Sequence, residues 1–412
     1  MKKRSIISSF LGTLIEVYDF SIFAFLIPIL SEVFFSSHTK KAAINFTILA
    51  FVISYGVKPF GALAFGYLID YYSRKKILLF TTLLMILATA AIGLLPTNLM
   101  GMYQWSALIG CRIIQGLAIS GEFTSALIMA VEQGGKRPGF SGSLAFMGGS
   151  LGLLFANLSI FILINLMPHD QVIQYGWRIP FLISTLCWLI LFFIRNKIDD
   201  PIFNKSLMRS SLFTLITNYK KELATTFITS SLSASAFYIT FIYMPTFLST
   251  SLNLHSHQKS ILITLICLST YILALPFGGI LADKIGVLKQ VKISSFLYLL
   301  FSYVCFAMIP SLNSIGCIAV LIFLAIIQAM LNSALPAFMI TQFHPTQRGK
   351  ALAISYSIGL TLFGGLMPYL ILTNGDYINP GLPISICAVL TLGVIYFDRC
   401  KKYDYLRSES KY

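Results

Sequence analysis

Apolar runs of about 17–25 residues recur along the whole chain, each bounded by charge, proline or glycine, and that length is what an α-helix needs to cross a bilayer. They fall near 8–30, 43–68, 77–95, 104–131, 141–165, 178–195, 223–247, 259–281, 292–310, 315–340, 351–373 and 381–397. Composition agrees: of 412 residues, 57% are hydrophobic, 14% aromatic and only 11% charged, against about 25% charged in a soluble domain. A water-soluble enzyme of this length is excluded. The expected fold class is an all-α membrane protein of twelve transmembrane helices. The seven cysteines are scattered singly, without CxxC or histidine spacing, so no disulfide framework, metal site or cofactor is expected.

Lys2, Lys3 and Arg4 before an apolar run have the look of a signal peptide, but Glu16 and Asp19 interrupt that run and no small-x-small cleavage site follows. A retained first helix is expected. With the N-terminus inside, 24 of the 30 Lys and Arg residues fall in cytoplasmic segments, and Lys40, Lys41, Arg178 and Lys259 alone lie outside; Lys58 and Arg112 are within spans. This positive-inside asymmetry puts both termini in the cytoplasm of a cell inner membrane. It also accounts for the net charge of +15 through the lipid bilayer rather than a nucleic acid.

The longest charged stretch, 196–222, falls near the midpoint. It separates residues 1–195 from residues 223–397 as two six-helix halves, with 398–412 a cytoplasmic tail. The halves echo each other. Gly66-x-Leu68-x-Asp70 ends span 2 and Gly279-x-Leu281-x-Asp283 ends span 8, and Lys136-Arg137-Pro138-Gly139 after span 4 parallels Gln347-Arg348-Gly349-Lys350 after span 10. A repeat of half the chain is the trace of a duplicated unit.

Ionisable groups inside a span cost about 2.5–3.5 kcal/mol each on insertion scales and mark functional sites. Span 1 carries Glu16 and Asp19 on one helix face. Span 4 carries Arg112, then Gln115 one turn later, then Glu122. At 1.5 Å per residue, Asp19 and Arg112 reach comparable depths from opposite sides, so Arg112 is either a structural cation tied to helix carbonyls or, as expected here, an ion-pair partner of Asp19 or Glu16 lining a central cavity. Glu122 is either a second proton site or a carboxylate holding helices together. Lys58 lies where snorkelling competes with a substrate contact. In span 7, Tyr238, Phe241, Tyr243 and Phe247 are either core or a cage for a quaternary ammonium group. Asp70, Arg74, Glu132, Asp283 and Arg348 are expected to form a cytoplasmic ion-pair latch. The second half has no clearly embedded charge, so it should offer shape and neutral polar contacts.

The segments Gly12-Thr-Leu-Ile-Glu16-Val-Tyr-Asp19-Phe20, Lys58-Pro59-Phe-Gly61-Ala, Gly66-Tyr-Leu-Ile-Asp70 and Arg112-Ile-Ile-Gln115-Gly116 with Gly121-Glu122 carry a family pattern. Downstream, Gly176-Trp177-Arg178-Ile-Pro180-Phe181, Asp199-Asp200-Pro201-Ile-Phe203, Tyr243-Met-Pro245-Thr-Phe-Leu and Ser355-Tyr356 through Phe363-Gly364-Gly365 to Pro368 continue it. In this order they resemble the major facilitator superfamily, and within it the metabolite:proton symporters, which include proline/betaine, 2-oxoglutarate, citrate and shikimate permeases. The departures are Val17 for the family's tryptophan, Lys58 for its arginine, and Asp70-Tyr71-Tyr72-Ser73-Arg74 where an arginine and a turn glycine are lost. The tail after Asp398 shows no heptads, so the coiled-coil route to osmotic gating is not expected.

The resemblance implies alternating access driven by the proton gradient, with a small-molecule substrate and a proton as partners and one chain sufficing as a functional monomer. Arg112, Gln115, Lys58, Tyr238 and Tyr243 would contact substrate. If a substrate carboxylate takes over the Arg112 guanidinium, Asp19 or Glu16 loses its partner and binds a proton, so the two travel together. One deep arginine favours a solute with one carboxylate, such as proline or betaine; a 2-oxoglutarate-like dicarboxylate stays open if Lys58 reaches the cavity. The competing readings are a proton-coupled efflux antiporter of the same fold and a non-transporting membrane sensor. Span 5 lacks the Gly-Pro pair usual in drug antiporters, and no stretch is long enough for a soluble output domain.

Overall fold

The computed structural model describes residues 2–35, 39–69, 74–96, 102–120, 122–197, 212–248, 257–344, 347–367, 370–371 and 379–397. The secondary structure in these segments is helical, and helices stand at all twelve expected positions. Eight are long and apolar enough to cross a membrane, nine counting one bent pair. The longest, Pro138–Leu166 and His257–Ile285, have 29 residues each, more than the roughly 20 that a hydrocarbon core of about 30 Å demands. Large apolar side chains face outward while charged groups lie inside: Phe277 is 72% and Leu94 67% exposed, whereas Asp19 and Arg112 are fully buried. That inversion fits lipid as the solvent, because polar groups in hydrocarbon must be satisfied internally.

In spans 1 and 2 the breaks occur where proline removes a donor. Span 1 bends by 61° between Phe10–Phe25 and Ile27–Phe34, beside Pro28, whose ring cannot continue the ladder. Span 2 divides at Val57 into Lys40–Gly56 and Lys58–Ile69, immediately before Pro59. In span 4 the described helices are Met102–Ile119 and Glu122–Gln133. Span 7 widens to a π-turn over Tyr238–Tyr243 just before Pro245, and span 11 does so over Leu360–Leu366, which contains Gly364 and Gly365. Such wide turns concentrate at functional sites.

By packing, the chain forms two compact units. One comprises Met1–Ala126 and Gly148–Ser206, the other Leu127–Met147 and Leu207–Tyr412. The segment 127–147, which the sequence assigns to the first half, packs within the second unit. The bonds responsible are specific. The Asp283 carboxylate accepts from the Gly139 and Phe140 amides at 2.7 and 3.0 Å, capping the helix Pro138–Leu166, and Arg348 donates to Glu132 at 2.9 Å.

Inside the second unit, buried side chains carry a neutral polar network. Ser233 donates to Asn332 Oδ1 at 2.6 Å, and Asn332 Nδ2 donates to the Tyr271 hydroxyl at 2.7 Å. Gln328 donates to the Ser233 carbonyl at 3.0 Å and accepts from Tyr298. Gln290 donates to the Gly278 and Met330 carbonyls and to Ser333, tying spans 8, 9 and 10. Neutral side-chain bonds of this kind hold membrane helices together.

Candidate functional site

In the first unit, five spans contribute to one buried polar cluster. Span 1 brings Asp19, whose carboxylate accepts three hydrogen bonds: Ser184 to Oδ1 at 2.7 Å, and Thr89 and Gln115 to Oδ2 at 2.9 Å each. Span 4 brings Arg112 and Gln115, one turn apart on the same helix face. Arg112 Nη1 donates to Gln115 Oε1 at 2.8 Å, and Nη2 donates to Ser54 of span 2 at 2.9 Å. Nε has no partner among the described residues. Gln115 also donates to Thr89 at 2.9 Å. Asp19, Arg112, Gln115, Thr89, Ser184 and Ser54 are all fully buried.

The direct ion pair expected between Arg112 and Asp19 is replaced by a relay. The Gln115 amide stands between them, accepting from the guanidinium through its oxygen and donating to the carboxylate through its nitrogen. The reason is the three-residue spacing, which aims both span 4 side chains at the same spot. Glu16 acts electrostatically on Lys58. Lys58 is 6% exposed and does not snorkel: its ammonium sits 4.2 Å from the centre of the Phe20 ring and 4.1 Å from that of Tyr55. The Arg112 guanidinium lies over Phe20 at 4.5 Å and Phe23 at 4.2 Å. Aromatic faces attract such cations, more strongly when both are desolvated.

Thr89, Ser184, Ser54 and Tyr55 belong to this cluster and were not singled out by sequence; Phe20, also in it, was named only as the end of a family segment. In the second unit, Tyr243 stacks on Phe247 with ring centres 5.4 Å apart, while Phe241 lies against Phe237 and Tyr271. Tyr238 packs on Phe237 and against the backbone of Gly364. Of the latch residues, Glu132, Asp283 and Arg348 make the bonds given above. Asp70 and the side chains of Arg74 and Glu122 lie outside the described residues.

A buried carboxylate joined to a buried guanidinium inside an all-helical membrane bundle is the equipment of a transporter. The sequence matches the Major Facilitator Superfamily profile over residues 9–368, and the chain belongs to that family; it is a multi-pass membrane transporter and not an enzyme. Among its relatives is the proline/betaine transporter of Salmonella typhimurium, 28% identical over 412 residues, with 95% of this chain and 82% of that one covered. A Staphylococcus aureus (strain COL) protein whose name also refers to proline/betaine transport is 28% identical, covering 96% and 88%. A solved structure of the proton:xylose symporter XylE superposes with a TM-score of 0.79 at 14% identity over 99% of this chain and 98% of that one. That likeness carries the twelve-helix fold.

Proposed function

We propose that this transporter takes up a small carboxylate-bearing metabolite together with a proton. A proline- or betaine-like zwitterion fits best, and a 2-oxoglutarate-like carboxylate is the other member of the class. The observation that carries this reading is the relay Arg112–Gln115–Asp19, in which one amide links a guanidinium to a carboxylate in the membrane interior. The names of the relatives support the zwitterion.

A substrate carboxylate that engages Arg112 in a bidentate fork competes with Gln115 for the guanidinium. Gln115 then loses its anchor, and its hold on Asp19 weakens. Ser184 and Thr89 are hydroxyls, able to accept as well as donate. They can therefore keep Asp19 hydrogen-bonded after it takes a proton, and the site tolerates both charge states. Glu16, whose charge acts on Lys58, serves as the second carboxylate of the pair. Glu122 enters from its sequence position alone, as a second proton site. Glu132 with Arg348, and Asp283 with the amides of Gly139 and Phe140, act as the cytoplasmic latch; Asp70 and Arg74 enter from their sequence positions alone. The protein works as a monomer in the inner membrane with both termini cytoplasmic, its six-helix halves joined by the 196–222 linker.

Proteoliposomes loaded at neutral pH and placed in acidic medium test this with labelled proline, glycine betaine and 2-oxoglutarate. One of the three should accumulate above equilibrium, and Asp19→Asn should abolish accumulation while retaining counterflow exchange. Accumulation unaffected by the gradient, or by Asp19→Asn, sinks the coupling scheme.

A further inference from the structure

The Phe20 and Tyr55 rings meet edge-on, with centres 4.8 Å apart and planes at 85°. Two electron-rich surfaces at right angles make a receptor for a compact cation. It is already filled. The Lys58 ammonium is within 4.2 Å of both ring centres and feels the Glu16 carboxylate. Arg112 shares the Phe20 ring, and its charge opposes that of Lys58.

The two cations are held differently. Arg112 is pinned by hydrogen bonds to Gln115 and Ser54. Lys58 is a point charge on a flexible four-carbon stem, rooted at the break where Pro59 interrupts span 2. Of the two, Lys58 is the one that can leave. Because Phe20 lies under both cations, a place vacated by Lys58 stands one side chain away from the guanidinium. A single small molecule with a positive and a negative end can reach both.

We propose that Phe20, Tyr55 and Glu16 form the subsite for the positively charged group of a zwitterionic substrate, and that the Lys58 ammonium occupies this subsite in the empty protein and is displaced by the ligand. The inference rests on the zwitterion reading above and adds the residues that take the cation. Exchange of one cation for another keeps Glu16 compensated throughout, so no step leaves a bare carboxylate in the membrane interior. A quaternary ammonium, which has no N–H to donate, suits a subsite made of ring faces and a carboxylate.

The test compares glycine betaine with 3,3-dimethylbutanoate, which has the same shape and carboxylate but carbon in place of the charged nitrogen. Dissociation constants are measured by calorimetry on purified protein in nanodiscs. In Lys58→Met the preference for betaine over the neutral isostere should rise about tenfold. In Tyr55→Leu it should fall about tenfold, with isostere affinity little changed. A fold defect or a role confined to helix packing would weaken both ligands together and leave the ratio where it was. An unmoved ratio in both variants overturns the proposal. Loss of both ligands alike in Lys58→Met also overturns it, since Lys58 would then be binding the shared carboxylate. Wild-type protein that binds neither betaine nor proline removes the zwitterion reading itself, and this subsite with it.

Discussion

At the residue scale, the relay depends on the one side chain that bonds in both directions. Gln115 accepts from Arg112 and donates to Asp19 and Thr89, so Gln115→Leu strips a partner from each of two buried ionisable groups. Each loss should cost about 1–3 kcal/mol, read as a lowered melting temperature in detergent, and gradient-driven uptake should fall at least tenfold. Gln115→Glu should restore part of the stability by offering Arg112 a carboxylate, but not the uptake, because it cannot donate to Asp19 when ionised. Asp19 and Arg112 were legible in the sequence because intramembrane ionisable groups are expensive, and Gln115 because it follows Arg112 by one turn. The hydroxyls were not. Ser184 reaches Asp19, while its neighbour Thr185 bonds back to the Phe181 carbonyl; nothing local separates the two. The bridging itself was also hidden, since spacing places two side chains on a face without saying which lies between charges.

At the element scale, spans 2 and 4 touch at backbone distance. A Cβ on Gly116 would stand 3.0 Å from the Ser54 carbonyl carbon and closer still to its oxygen, and one on Gly61 would stand 2.6 Å from the Leu117 carbonyl oxygen. Small residues at such crossings let membrane helices approach. Gly116→Ala should therefore force the pair apart, costing about 1–3 kcal/mol. Because Ser54 also receives the Arg112 N–H, substrate affinity should fall with stability; a melting curve and a binding isotherm on the same preparation check both. Span positions were legible from apolar run length, and prolines marked the breaks in spans 1 and 2. The π-turn of span 11 was not, because widening a turn leaves the hydrophobic pattern almost unchanged.

At the scale of the whole molecule, Asp283 and Arg348 were singled out with the half-chain repeat and Glu132 by its place at the end of span 4, but the form of one contact was not legible. Asp283 meets two backbone amides rather than a cation, because the N-terminus of a helix presents unpaired N–H groups and the positive end of its dipole. Asp283→Ala should cost about 0.5–2 kcal/mol as a lost cap and expose the start of span 5. A cysteine placed at Phe140 in a cysteine-free background should then label faster from the cytoplasmic side. Unchanged labelling would mean the cap does not restrain that end. The packing of residues 127–147 with the second unit lay beyond sequence reasoning, which divides a chain at its polar linker and has no measure of which helix ends adhere.

The buried charges around the relay cancel: Glu16 and Asp19 against Lys58 and Arg112. A membrane potential acts on net charge at about 2.3 kcal/mol per elementary charge per 100 mV. Under the proposed symport, an empty carrier with balanced interior charge would reorient almost indifferent to that voltage, whereas one holding a zwitterion and a proton would move a full positive charge. Currents recorded on a solid-supported membrane should accordingly accompany the loaded step and vanish from the return. An inside-negative cell would then concentrate its solute even with equal pH on both faces.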